Sequence, residues 1–593
     1  MITTEEWKTL QRLRDNLGRI KVSQGQNVYD ADFEYSAQPL RWESLAIGVG
    51  ASVTHLPGEG GVRLRVSGTA GNISLRQSRP YHRYQPGKSL FMATAVWFGA
   101  NQAGQVQRVG FFDDSNGVFF EQGPNIEVNN PSGMGVVVRS DAQPGLSVGL
   151  PTDARIPLNE WSDPAGIKDS VNWNKIQMLW IEYAWYGAGV IRWGIYIDGE
   201  PFVLHELGSG NNRPSYSSLV RPATGATVST VTVANAGWIV NQWAGRWFTY
   251  TVAGVEYRAR IISNTVDTLQ VRATDSASNP SQTPVGLTAY QIDALPQNTK
   301  AWSRTGNLPV RYEQRNTAAS TTNDMIHFGV SVIVEGTANE QRGFTYAYGS
   351  PHSATSANAG RRQVVAGAGT AGNRIPLVSM RGRTMGTVEY TQATAACTAG
   401  STTSLTAGTA AWTVNQWAGR SVNYIVAGVS YTARIVSNTA TVLTLVDVVT
   451  GAALAVAPVA GQNYTIGQIN RGQLLPRRLQ ITSDRAVFVE IVTSTPTSQV
   501  NLTGASFVAN AASPNSFALV DSSATAFTLS GEVVYSIFVP ANNPVDQQID
   551  QLFPLVNSVR GNNTDILTVL VTNTDTTNAA NVSVQIIGQE AMS

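Results

Sequence analysis

Cysteine is almost absent from this sequence: Cys397 is the one thiol in 593 residues. That count excludes intrachain disulfides and cysteine-based zinc sites, and with them a small secreted scaffold stapled by bridges. Charge is scarce as well. Asp, Glu, Lys and Arg make up 14% of the chain, against roughly 25% in an average soluble protein. Thr, Ser, Asn, Gln, Ala and Gly fill the vacated positions, which suits flat β-surfaces better than helices laced with Glu and Lys. The formal net charge is +1, and the basic pairs Arg361–Arg362 and Arg477–Arg478 are isolated. No nucleic-acid partner is expected, because phosphate binding needs clustered cations. No apolar run reaches the ~18 residues of a membrane span, so no membrane insertion is expected. The first residues lack the apolar stretch of a secretory signal, so synthesis in a cytoplasm is expected, with any exit as part of an assembly.

What is present is enough apolar residue, 42%, to build sizeable cores, in a chain long enough for several domains. One helix is expected near the start. Thr3 and Glu6 form a capping box, and Trp7, Leu10 and Leu17 fall near helical spacing before Gly18. This segment either caps the first β-domain or serves as an arm that docks on another protein.

From Pro39 onward the pattern is strands. Residues 62–66 and 73–77 alternate apolar with polar side chains. Residues 110–112 and 118–120, joined by Asp113 to Gly117, read as a hairpin, and Trp180 to Leu207 as a three-stranded meander. Many short strands with regular turns predict an all-β, multidomain chain of β-sandwich or jelly-roll type.

An internal repeat stands out. WIVNQWAGRWFTYTVAGVEYRARIISNT begins at Trp238 and WTVNQWAGRSVNYIVAGVSYTARIVSNT at Trp412, 174 residues later, with 20 of 28 positions identical. The register predicts two related β-modules at 223–293 and 397–467, inserted in loops of a larger β-domain, where longer loops cost little closure entropy. The expected plan is an arm over 1–38, a main sandwich over 39–222 continued over 294–396, the two modules, and a C-terminal β-region over 468–593. The shared aromatics Trp238/Trp412, Trp243/Trp417 and Tyr250/Tyr424 read as core residues first and as an aromatic contact surface second.

With the modules set aside, the chain resembles a family of bacteriophage structural proteins. The resemblance rests on QNVYD at 26–30, DFEY at 32–35, QPLRW at 38–42, YQPGKS at 84–89, GFFDD at 110–114, NGVFFEQ at 116–122, VLHE at 203–206, NLPVRY at 307–312 and RGF at 342–344. It covers about the first 390 residues outside the first module and, more loosely, the segment after Gly472. It implies a virion component of the head-fibre, neck-appendage or tail-fibre type, bound to capsid, neck or tail proteins, with no catalytic residues and no cofactor. By analogy with viral fibres, a homo-oligomer such as a trimer is expected. The modules are not a feature of that family.

Catalytic motifs fail on context. Gly145, Ser147 and Gly149 match a nucleophile elbow, but Pro151 and Pro157 break the helix it needs. Gly367, Gly369 and Gly372 match a dinucleotide fingerprint, yet an extended segment follows. Gly87-Lys88-Ser89 lacks the first P-loop glycine, since position 82 is His82. Asp113, Asp114, Asn116 and Glu121 miss EF-hand spacing and read as a hairpin turn. The five histidines His55, His82, His205, His327 and His352 show no metal-ligand spacing, so no metal is expected. Trp180, Trp185 and Trp193 read as packing between sheets rather than a sugar platform. The rival readings are an adhesin for host surface glycan, with exposed aromatics on the modules, and a capsule-degrading tail enzyme with paired carboxylates.

Overall fold

The computed structural model describes residues 24–591 apart from 124–131, 142–150, 186–188, 209–215, 218–222, 239–242, 244–246, 273–279, 281, 285–289, 294–301, 337–343, 350–361, 365–373, 393–396, 496–497, 510–515, 529 and 550–553. The expected helix with Trp7, Leu10 and Leu17 lies outside the described residues. So do the Ser147 and Gly367 motifs and His352. The chain is all-β. Single 3-10 turns at Leu158–Glu160 and Lys168–Ser170 are the helical structure among the described residues.

Two compact units divide the chain. The first comprises Met1–Gln38, Ser44–Ser78 and His82–Asn339, and the second Pro39–Glu43, Arg79–Tyr81 and Glu340–Ser593. Strands β1 to β5 run Gln26–Asp32, Trp42–Ile47, Ala51–Leu56, Gly61–Gly68 and Ile73–Ser78. Strands β6 to β10 run Leu90–Trp97, Gln105–Phe112, Gly117–Gln122, Met134–Ser140 and Thr152–Pro157. Then come β11 to β13, Gln177–Tyr183, Val190–Ile197 and Glu200–Gly208. The first module contains β14 to β20: Tyr216–Ser217, Gly225–Ala226, Thr230–Thr232, Trp247–Val252, Val255–Asn264, Thr268–Arg272 and Tyr290–Asp293. Strands β21, Val310–Asn316, and β22, Ser320–Val334, return to the sandwich.

That sandwich has one sheet ordered β13-β12-β11-β6-β22-β4-β3, with β1 also on β22, and a second ordered β10-β9-β8-β7-β21-β5-β2. The chain alternates between sheets in blocks, as in a jelly roll. The expected meander is β11–β12–β13, and the expected hairpin is β7–β8, closed by the Asp113 N–H donating to Asn116 O at 2.9 Å. Between the sheets, Phe111 meets Tyr183 edge-on at 5.3 Å and Tyr312 stacks on His327 at 4.0 Å. On the neighbouring stretch, Trp180 lies over Gly194, where a Cβ would approach its ring to 2.1 Å; only glycine fits opposite that indole.

The second unit starts with β23 to β26: Phe344–Gly349, Arg362–Val364, Ile375–Gly382 and Met385–Gln392. Its module continues with β27 to β32: Ala399–Ser401, Ser404–Thr406, Ser421–Val426, Val429–Asn438, Val442–Asp447 and Tyr464–Ile469. Strands β33 to β37 run Gln473–Ser483, Val487–Thr493, Asn501–Thr503, Val508–Ala509 and Ala518–Asp521. The last, β38 to β42, run Ala526–Thr528, Glu532–Val539, Val545–Gln548, Ile566–Asn573 and Ala580–Ala591. Sheets β23-β42-β33-β40 (with β24 on β42) and β36-β37-β25-β41-β34-β39 enclose a core that includes Leu479, Val489, Val569 and Ile586.

The plan differs from the sequence expectation in two ways. The segment 294–396, expected to continue a single main domain, divides between the units, so each module belongs to a different sandwich. Each module sheet also recruits a strand that precedes the repeat, β14 in one and β26 in the other. The resulting orders, β14-β20-β17-β18-β19-β16-β15 and β26-β32-β29-β30-β31-β28-β27, correspond strand for strand. Both modules also carry a bulge at the same place, between Ile261 and Ser263 and between Ile435 and Ser437. Backbone pairing cannot diverge freely while the same residues must face the same core.

Candidate binding face and module surfaces

Alternation along β7 and β21 decides which side chains leave the inter-sheet core. Phe111 and Tyr312 point into it, so Arg108, Arg311 and Glu313 occupy the opposite face of the seven-stranded sheet. There they join Glu121 of β8, Arg139 of β9 and Asp153 and Arg155 of β10. Arg108 donates to Glu121 at 2.6 Å and to Glu313 at 2.7 Å. Arg155 bridges Glu121 at 2.7 Å and Asp153 at 2.8 Å, and Arg139 grips both oxygens of Asp153. Arg311 pairs with Asp114 at 2.8 Å and Glu313 at 3.0 Å, and Arg315 lies 3.3 Å from Glu313. Phe112 and Phe119 lie beneath: Arg139 is 5.8 Å and 5.1 Å from their ring centres, and Arg311 is 5.4 Å from Phe112. The guanidinium faces gain cation–π attraction there as their edges meet carboxylates.

This face is buried; the Arg311 side chain is 0% exposed and that of Glu313 1%. Burial alone would push these carboxyl pKa values up. For Glu313 the surrounding Arg315, Arg311 and Arg108 outweigh burial and hold it well below the usual carboxylate range. For Glu121 burial is likewise overcome by Arg155 and Arg108, and for Asp153 by Arg139 and Arg155. A carboxylate fixed as an anion by two or three arginines cannot donate a proton near neutral pH, so none of these acids is suited to general acid catalysis. The sequence showed these residue types but not their convergence, because their strands are up to about two hundred residues apart in the chain.

The expected turn cluster resolves into separate duties. Asp113 Oδ1 accepts the N–H groups of Ser115 and Asn116 at 2.8 Å each, while Asp114 pairs with Arg311 and Glu121 with Arg108 and Arg155. Among the described residues no group of three or more His, Cys, Asp or Glu is arranged to hold a metal. The histidines are dispersed. His55 contacts Phe33 O at 2.7 Å, and His205 Nδ1 accepts the Ser162 N–H at 3.0 Å. Burial, reinforced by Arg260 and Lys168, pushes His205 down to about 3. Trp180 and Trp193 are interior, and the Trp185 indole donates to Ser303 O at 2.9 Å; together they make no open platform.

The aromatics shared by the modules are packed inside them. Trp243 and Trp417 are both 6% exposed, Tyr250 1% and Tyr424 3%. The contact-surface alternative for these four is therefore set aside: module cores of this size need their largest rings to exclude water. The equivalent hydrogen bonds are kept as well. Tyr250 donates to Gln282 O and Tyr424 to Val456 O, each at 2.7 Å. What the modules do present is a half-buried tyrosine stacked on each core one, Tyr257 on Tyr250 at 5.8 Å and Tyr431 on Tyr424 at 5.7 Å. Beside it, each hairpin tip carries an exposed valine, Val255 at 53% and Val429 at 51%. Sequence pairing alone ranked the larger rings first; the half-exposed pair was legible only in the repeat's identity.

No family model and no curated protein matches the chain. Among solved structures, a glycosyl hydrolase family protein from Mycobacterium fortuitum is 10% identical, with a TM-score of 0.23, over 52% of this chain and 99% of that one. A lectin from Bauhinia forficata in complex with GalNAc is 10% identical, with a TM-score of 0.20, over 52% and 99%. Peanut lectin is 8% identical, with a TM-score of 0.19, over 54% and 100%. Similarity at this level assigns no activity.

Proposed function

We propose that this chain is a non-enzymatic structural protein of a bacteriophage virion, carried on the outside as a fibre, appendage or decoration of head, neck or tail. The observation that carries the reading is the duplication: one module, with one strand order, is built into each of two sandwich units. Repeating a small rigid module suits a protein whose task is to present surfaces, because linked copies raise effective concentration at a target. The locked carboxylates of the first sandwich agree with a role in which no bond is made or broken. Partners are other virion proteins and copies of the chain itself, with a trimer as the working assembly. The test is quantitative peptide mass spectrometry on purified particles. A fixed copy number per virion is expected, and absence from particles overturns the proposal.

A second reading, an adhesin for host surface glycan, is favoured by the half-buried Tyr257 and Tyr431, since an exposed tyrosine face suits sugar stacking. Glycan-array binding that is lost in the Tyr257→Ala, Tyr431→Ala double variant is its expected result. The tail-enzyme reading predicts a fall in the viscosity of host capsule when purified protein is added; unchanged viscosity is expected here.

A further inference from the structure

Arg311 is the most deeply placed guanidinium of the charged face, and its hydrogen-bonding is incomplete. Its Nη2 serves Asp114 and Glu313. Its Nε and Nη1 are buried and have no acceptor among the described residues. An arginine stays protonated at any working pH, so this cannot be relieved by losing a proton. Leaving such donors dry costs about 1–3 kcal/mol each. Directly across the ladder, on the same face, stands Gln77 of β5. Side chains paired in this way have Cβ atoms about 4.5–5.5 Å apart. Gln77 is 3% exposed, and its Oε1 is likewise buried without a partner. Two adjacent buried side chains, Arg311 and Gln77, therefore each carry polar atoms that the ion pairs of this face leave unused.

We propose that Arg311 and Gln77 form a buried binding site for a small oxyanion, a carboxylate or sulfate group, on the side of the seven-stranded sheet that faces away from the inter-sheet core. The anion accepts from the unused Arg311 nitrogens. The Gln77 amide, turned so that its nitrogen faces the ligand, supplies a neutral donor; which end of an amide is nitrogen is set by its hydrogen bonds. Chemistry favours an anion over a neutral ligand. Among the described residues the ion pairs of this face join five arginines, Arg108, Arg139, Arg155, Arg311 and Arg315, to four acids, Asp114, Glu121, Asp153 and Glu313. Phe112 below Arg311 keeps the site weakly hydrated, which strengthens charge-assisted hydrogen bonds. The oxyanion has two sources with this chemistry, a free inorganic ion and the carboxylate of an acidic sugar.

The experiment is thermal unfolding of the full chain at constant ionic strength, with chloride replaced in turn by sulfate and by glucuronate. A saturating oxyanion is expected to raise the transition of the first unit by about 3 °C. A larger response to sulfate identifies a free ion, and a larger response to glucuronate an acidic sugar. Gln77→Glu is the decisive variant, because it supplies a carboxylate beside Arg311 within the chain. It should raise the transition without added anion and abolish the response to both. Gln77→Met, which keeps every Arg311 ion pair, should fold and weaken the response. A crystal soaked in bromide should show anomalous density within hydrogen-bonding distance of Arg311. An equal shift with all salts, a response preserved in Gln77→Glu, or a water alone at Arg311 overturns the proposal.

Discussion

The backbone N–H of Trp417 donates to Oδ1 of Asn438 at 2.8 Å, and 174 residues earlier the N–H of Trp243 donates to Oδ1 of Asn264 at the same distance. In each module a buried asparagine thus ties the tryptophan-bearing loop to the end of the longest module strand. Asn438 completes the knot by donating to Thr413 O at 2.9 Å and Thr439 O at 2.8 Å. Loop backbone that enters a core needs such partners, since its amides have no ladder.

Asn438→Ala removes the partner of the Trp417 amide and of the Thr439 carbonyl, while Thr413 O keeps the Gln416 N–H at 3.1 Å. A loss of about 2–3 kcal/mol is expected in the second module. Hydrogen exchange followed by mass spectrometry should show faster exchange over 412–438, with the first module unchanged. Protection equal to the parent protein would contradict the role given to Asn438.

Both module hairpins turn on an Ala–Gly pair with positive φ, Ala253 and Gly254 at 49° and 80°, Ala427 and Gly428 at 50° and 81°. Glycine takes this region freely, but alanine there is strained by roughly 1 kcal/mol, and Asn–Gly is the pair this turn type favours. Ala427→Asn should therefore stabilise the second module by about 0.5–1 kcal/mol in denaturant titrations. A lower midpoint would show that something other than turn geometry selects alanine.

The buried arginine–carboxylate face makes the first unit acid-sensitive. Glu313 and Asp153 have folded pKa values depressed below their unfolded values. Their contribution is full above the unfolded values near pH 4 and is lost as pH falls below them. Glu313→Gln takes one carboxylate from each of Arg108, Arg311 and Arg315, and a loss of about 3–5 kcal/mol at pH 7 is expected from breaking a buried pair. Calorimetry at pH 7 and pH 3 checks both parts: the variant should lie well below the parent at pH 7, with a narrower gap at pH 3, where the unfolded carboxyl is protonated and the folded one still charged.

In the second unit the sign is opposite. Glu43 accepts the Val559 N–H at 2.9 Å, and Asp565, paired with Arg79, accepts the Val556 N–H at 2.9 Å. Burial, only partly offset by the Val559 hydrogen bond and Arg79, raises Glu43 to about 7, and burial raises Asp565 to about 6 against the pull of Arg79. Raised carboxyl values mean the folded state holds protons the unfolded state has lost, so stability falls as pH climbs from about 4.5 to 7. Glu43→Gln should match the parent at pH 4.5 and exceed it by about 2 kcal/mol at pH 8. An equal effect at both values would remove Glu43 as the titrating group.

The repeat, the strands and the all-β class follow from local chemistry. Period-two alternation at 62–66, β-formers from Trp180 to Leu207 and glycines at turns are properties of neighbouring residues, and each is found where the pattern put it. The interior place of Trp243 and Trp417 was legible for the same reason, because large rings in a seventy-residue module have nowhere else to go. Tertiary structure alone decided the rest. Strand β21 reaches its partners β5 and β7 across more than two hundred residues, and no local pattern records which strands will meet. The division of 294–396 between two sandwiches, the strands β14 and β26 that complete the module sheets, and the meeting of Arg311 with Gln77, Asp114 and Glu313 all depend on those long-range pairings. Alternation says which side of a strand a residue occupies; only the assembled sheet says what stands beside it.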